Sequence, residues 1–183
     1  DMTPERYFGP SIVADAVERC FPQHRQSLLV LDIAAGTGLL GYELKMRGFD
    51  NLHALDPSEG MLNKAKKKNI YNQFYCEYMT ENVAIIPSDV YDCVVCSGGF
   101  GQGHIPTSAL REMARITKPG GYGVIVIREE FLDSPEYENS LENMMVELEN
   151  IGIWKKIERS VVPKYFCHKS GVIYRFRVCD DNE

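Results

Sequence analysis

An unbroken apolar run, Leu28-Leu29-Val30-Leu31, passes through Asp32 and Ile33 into the small residues Ala34-Ala35-Gly36-Thr37-Gly38. Leu39, Leu40 and Leu44 then recur at helical spacing. A run without polar alternation predicts a strand buried on both faces of a parallel sheet. The glycines predict a tight turn into a helix, the first unit of an open α/β sheet. Backbone N–H groups left bare at that helix start are a natural ligand site. Upstream, Ile12, Val13, Ala16, Val17 and Cys20 form the apolar face of a helix capped by Ser11 and ended by Phe21-Pro22. Arg47-Gly48 stops the helix that follows the turn.

The same reading continues downstream. Leu52–Asp56 is a short second strand, and Ser58 is the N-cap of a helix with Met61, Leu62 and Ala65 on its inner face. Gln73–Glu77 and Tyr91–Ser97 are the third and fourth strands. Thr107 is the expected cap of a helix carrying Ala109, Leu110, Met113 and Ile116. Lys118-Pro119-Gly120-Gly121 is a turn before a fifth strand, Tyr122–Ile127. Helical spacing of Leu141, Met144, Met145 and Leu148 places a helix over Pro135–Ile151 with Gly152 as its cap. Trp154–Pro163 and Gly171–Cys179 are strands close enough to pair, with Lys169-Ser170-Gly171 in their connection. A parallel sheet ending in an antiparallel hairpin is expected, and right-handed crossovers gather every ligand-facing loop at one edge.

Composition narrows the partners. A chain of 183 residues is the length of one domain, taken as residues 1–183, with a substantial core. A net charge of −6 argues against nucleic acid as the partner. No apolar run approaches membrane-spanning length and no signal peptide opens the chain, so a cytoplasmic protein without membrane association is expected. Oligomeric state is left open. Cys93-x-x-Cys96 has the spacing of half a zinc site, but in a strand those positions face opposite ways; buried free thiols and no metal are expected. Lys64, Lys66, Lys67 and Lys68 read as the solvated face of a helix end.

Gly36-x-Gly38-x-x-Gly41, with Asp56 twenty residues past Gly36, also fits a dinucleotide fingerprint, which would make the chain an NAD-dependent oxidoreductase. Asp32 separates the readings. A carboxylate at the strand end repels a pyrophosphate, whereas it suits a ligand with an ammonium and a sulfonium, as S-adenosylmethionine (SAM) has. Asp32-x-Ala34-x-Gly36-x-Gly38 resembles the first motif of the class I SAM-dependent methyltransferases. Leu55-Asp56-Pro57-Ser58-x-x-Met61-Leu62, Tyr91-Asp92-Cys93-Val94-Val95 and Thr117-Lys118-Pro119-Gly120-Gly121 follow in that family's order. Ser97-Gly98-Gly99-Phe100-Gly101-Gln102-Gly103 and Ile173-Tyr174-Arg175-Phe176 make it most similar to the methyltransferase-like proteins of the Williams–Beuren syndrome region.

The resemblance implies a Rossmann-like seven-stranded sheet of order 3-2-1-4-5-7-6, with strand 7 antiparallel and helices on both faces. It implies SAM as cofactor and S-adenosyl-L-homocysteine as product. Ala34, Gly36, Thr37, Gly38 and the Asp32 carboxylate would hold the methionine end of the donor. Asp56, followed by Pro57, would accept the ribose hydroxyls. Met61 would cover the adenine face, Glu77 and Tyr78 would meet its edge, and Ser97 would lie near the methyl group. Methyl transfer is an in-line displacement, so the protein aligns groups and excludes water. His104 is the one histidine in a ligand-facing loop and the candidate catalytic base; Arg128 and Glu129 are candidate substrate contacts. No Asn/Asp-Pro-Pro-Tyr follows strand four, which leaves a small molecule or a protein side chain as acceptor. A non-catalytic SAM-binding module acting through partners is the alternative. Relatives carry a further lid segment ahead of the first helix; with the sequence opening at Asp1-Met2-Thr3-Pro4, that segment is expected to be missing.

Overall fold

In the computed structural model, which describes residues 7–101 and 103–180, strand β1 (Leu29–Ile33) runs parallel between β2 (Asn51–Leu55) and β4 (Tyr91–Ser97). β3 (Gln73–Tyr75) flanks β2, and β5 (Thr117–Arg128) flanks β4, all parallel. The last two strands, β6 (Trp154–Phe166) and β7 (Lys169–Val178), pair as a hairpin, and β7 docks antiparallel on β5. The described residues thus form one seven-stranded sheet of order β3-β2-β1-β4-β5-β7-β6, the order expected.

Side-chain alternation splits the core into two layers. Leu31 and Ile33 of β1 pack with Val94, Cys96, Ile125 and Ile127 beneath helices α4 (Ala109–Ile116) and α5 (Leu141–Asn150). Val30, Cys93, Val95, Val124 and Val126 face the other way, against α1 (Gly9–Cys20), α2 (Leu39–Met46) and α3 (Glu59–Lys66). Each fully buried aliphatic side chain here is worth about 1.5–3 kcal/mol. Cys93 and Cys96 lie in opposite layers as free thiols. Among the described residues no helix is long and apolar enough to cross a membrane.

Helix ends follow local chemistry. Ser58 caps α3 by accepting the Met61 N–H at 3.3 Å. Gly48 and Gly152 adopt positive φ and end α2 and α5; Phe49 N–H then reaches back to Leu44 O, and Ile153 N–H to Leu148 O. Five expectations need correction. α1 starts at Gly9, two residues before Ser11, because Pro10 fits a first turn that needs no N–H; the Ser11 hydroxyl donates to Phe8 O instead. Thr107 does not cap α4; its hydroxyl meets that of Ser140 at 3.2 Å. The Lys118–Gly121 turn is a bulge inside β5, where pairing jumps from Tyr91↔Thr117 to Cys93↔Tyr122 around Gly120 at φ +77°. α5 begins only at Leu141, since Asn139 is left-handed and breaks the expected helix; Lys169–Gly171 belong to β7, not to a connection.

Beneath the glycine turn lies a buried polar pair. The Tyr71 hydroxyl donates to Asp32 Oδ2 at 2.5 Å, and Asp32 is only 1% exposed. The ring fits because α2 is hollowed beside it. A Cβ at Gly41 would stand 2.3 Å from the Tyr71 hydroxyl, and one at Gly38 3.1 Å from its ring. Burial pushes the Asp32 carboxyl from 3.8 up to about 7, against the pull of the Tyr71 hydrogen bond. In that window the folded chain keeps a proton that the unfolded chain has lost. Asp32 therefore adds stability that is fully present below about pH 4 and is lost as pH rises through about 7. Asp32→Asn keeps an acceptor for Tyr71 and removes the buried charge. Its melting temperature is expected to match the parent near pH 4, to gain on it as pH rises to about 7, and to hold that gain at pH 8. Thermal unfolding at four pH values checks this, and a difference that does not vary with pH would contradict it.

Candidate active site

The strand order reverses between β1 and β4, which is where open α/β sheets leave a crevice at their carboxyl edge. A cleft of about 680 Å³ opens there, within the range of small-molecule sites. Its floor is Ala34–Thr37, in a turn where Ala34, Gly36 and Gly38 all take positive φ, at 56°, 55° and 83°. The turn is pinned from β2: Ala35 N–H donates to Leu55 O at 3.1 Å, and Gly36 N–H to Asp56 Oδ2 at 2.8 Å. The second carboxylate oxygen of Asp56 accepts the Ser58 N–H, also at 2.8 Å. Asp56 is 8% exposed yet lines the cleft. A Cβ at Gly36 would meet no atom within 4 Å, so the space above it is open.

Nine of the residues singled out in the sequence converge on this cleft. Ala34, Gly36 and Thr37 form its floor. Asp56, Pro57 and Met61 line one side, joined by Tyr78, which is 71% exposed. Ser97 and His104 line it as well. Three do not reach it. Asp32 is sealed beneath the turn by Tyr71, and Gly38 is the N-cap of α2 with its back to the Tyr71 ring. Glu77 is exposed and off the wall, because β3 ends at Tyr75, two residues short of the expected strand. Arg128 also stays outside, its guanidinium over the rings of Phe131 and Phe166 at 5.0 and 5.1 Å and paired with Glu130; Glu129 is absent from the walls too.

The loop after β4 is organised by a residue that the pattern did not flag. The Tyr137 hydroxyl accepts the Gly101 N–H at 2.9 Å and lies 2.7 Å from Ile105 O, fastening the loop that carries His104. The His104 imidazole is exposed to the cleft, with no hydrogen-bond or ion-pair partner among the described residues. Lys64 and Tyr7 also line the cleft without having been anticipated there. Tyr7 was hidden because residues 1–10 carry no periodicity, and the only trace of Tyr71 was the third motif glycine, Gly41, which makes room for it.

Comparison with known proteins agrees with this geometry. A family model described as a methyltransferase domain matches residues 30–121. Human methyltransferase-like protein 27 is 31% identical over 155 residues, covering 85% of this chain and 62% of that protein. A demethylmenaquinone methyltransferase from Renibacterium salmoninarum is 36% identical over 98 residues, covering 52% of this chain and 39% of that one. The chain thus spans between about two fifths and three fifths of the length of these relatives. Among solved structures, the Burkholderia thailandensis 1,6-didemethyltoxoflavin-N1-methyltransferase, with its substrate and S-adenosylhomocysteine bound, superposes with a TM-score of 0.69. It covers 94% of this chain and 79% of that one at 16% identity, a likeness of fold. With the family model matching half the chain, this protein belongs to the methyltransferase domain family, within the class I SAM-dependent methyltransferases.

Proposed function

We propose that the cleft binds SAM and that the chain directs its methyl group to a small-molecule or protein acceptor. The observation that carries this reading is the left-handed glycine turn, open above Gly36 and pinned by the Asp56 carboxylate at the sheet's reversal point. Bound SAM supplies an electrophilic methyl carbon; the protein's part is to bind, orient and exclude water. Ala34, Gly36 and Thr37 offer the backbone surface for the methionine end. Asp56 takes the ribose hydroxyls on its free lone pairs. Pro57 and Met61 cover the adenine, with Tyr78 at its edge. Asp32 acts from below, through the electrostatics and stiffness of the turn, rather than as a contact. Ser97 lies at the methyl end, and His104 is placed to receive a proton when the acceptor carries one that must leave.

Two measurements test this. Calorimetric titration should show SAM and S-adenosylhomocysteine binding, with NAD(H) silent; tight NAD binding without a response to SAM would overturn the proposal. Asp56→Asn removes the charge and one of two oxygens that each already hold a backbone N–H. Losing charge-assisted hydrogen bonds of about 1.5–3 kcal/mol should weaken S-adenosylhomocysteine roughly ten- to a hundredfold. Circular dichroism on the same sample confirms the fold. Affinity within threefold of the parent would remove Asp56 from the ribose site.

A further inference from the structure

We propose that a three-hydroxyl cluster, the buried Tyr7 and Tyr165 with the half-buried Ser97, positions the methyl acceptor, and that the acceptor is a neutral, largely apolar small molecule presenting a hydroxyl or ring N–H. This rests on the reading of the cleft as a SAM site. The Tyr7 hydroxyl stands 2.7 Å from Ser97 Oγ and 3.2 Å from the Tyr165 hydroxyl. The three residues come from the segment just before α1, the end of β4 and the β6 strand. Phe8 N–H, bonded to Tyr165 O at 2.9 Å, fastens the first of these to the last.

The cluster is built rather than incidental. A Cβ at Gly9 would fall 2.6 Å from Ser97 Oγ, 2.6 Å from the Tyr165 ring and 2.7 Å from the Tyr7 ring. A Cβ at Gly98 would fall 2.5 Å from the Tyr7 hydroxyl, and one at Gly171 would strike the Tyr165 ring at 2.8 Å. Three glycines are thus kept bare around three hydroxyls. Both phenols stay protonated, since burial pushes each up from its ordinary value. Three O–H groups share two hydrogen bonds, so one proton and several lone pairs remain, and Tyr7 and Ser97 both line the cleft.

The surroundings select the ligand. The charged walls, Asp56 and Lys64, belong to the β2–α3 side assigned to the donor. Around Ser97 the walls are Gly98, Gly99 and Ile105, and among the described residues His104 is the single titratable side chain there besides the Tyr7 phenol. Among the described residues, a lysine or arginine acceptor would meet no carboxylate there to offset its desolvation. A neutral heteroatom can instead take the spare hydroxyl proton or give its own to a lone pair, which aims its nucleophilic pair along the cleft. In the transfer, the methyl carbon's bond to sulfur breaks as its bond to the acceptor oxygen or nitrogen forms. Sulfur keeps the electron pair, and the acceptor's proton leaves to water or to His104. Tyr7 and Tyr165 are positioning residues in this scheme.

The test uses the protein saturated with S-adenosylhomocysteine and three probes of similar size: phenol, butylammonium and butyrate. Amide NMR shifts of Gly98 and Gly99 should respond to phenol and not to the two ions. Tyr7→Phe should weaken phenol at least fivefold with S-adenosylhomocysteine affinity nearly unchanged, a split that a merely structural tyrosine would not give. Tyr165→Phe, which removes the anchor without touching the cleft wall, should weaken phenol similarly and serves if Tyr7→Phe fails to fold. Butylammonium binding better than phenol, or phenol binding equally to both variants and the parent, would overturn the inference alone. Failure of S-adenosylhomocysteine to bind the parent would instead remove the donor reading on which it rests.

Discussion

The cleft depends on one carboxylate holding two pieces of backbone that have no reason to stay together. Asp56 closes β2, and its oxygens accept from Gly36 in the turn after β1 and from Ser58 at the start of α3. Each of those N–H groups would otherwise be an unpaired donor beside an empty space. The bond to Gly36 also keeps the turn in a left-handed path, in which even Ala34 sits at positive φ. Without it, the floor and the near wall of the cleft could move independently.

A second constraint works from beneath. A carboxyl pushed up to about 7 by burial is a costly thing to place at the end of a central strand, and Asp32 is tolerated there because Tyr71 gives it a short hydrogen bond. The phenol in turn needs Gly41 and Gly38 to lack side chains. Two of the three motif glycines thus serve the underside of the turn, and Gly36 alone serves its ligand face.

This division explains what could be read from the residues and what could not. The strands and helices follow from apolar runs and their period, and β1, β4 and α4 lie where the pattern places them, because burial on one or two faces leaves a direct mark on sequence; the strand order came instead from the family resemblance. Bounds failed where a single backbone conformation decided the matter, as at Asn139 or in the bulge at Gly120. At the site, the turn, Asp56, Met61 and Ser97 were legible because a motif fixes their spacing. Asp32 was legible as a residue but not as buried, since its partner Tyr71 lies thirty-nine positions away. Tyr7, Tyr137 and Tyr165 act through long-range hydroxyl contacts, and nothing in a phenol's immediate neighbours announces such a contact.

The glycines of the turn therefore answer to different pressures. An alanine at position 41 collides with Tyr71 and should be felt at once in folding. An alanine at position 36 collides with nothing; it costs the fold only the strain of a left-handed residue, about 1–2 kcal/mol, which Ala34 already bears. Its methyl group would stand in the open space above the turn, where the donor is proposed to bind. Drift at position 41 would thus be purged as loss of protein, whereas drift at position 36 would leave a folded chain with a filled cleft, a ready route from an enzyme to a non-catalytic scaffold of the same shape.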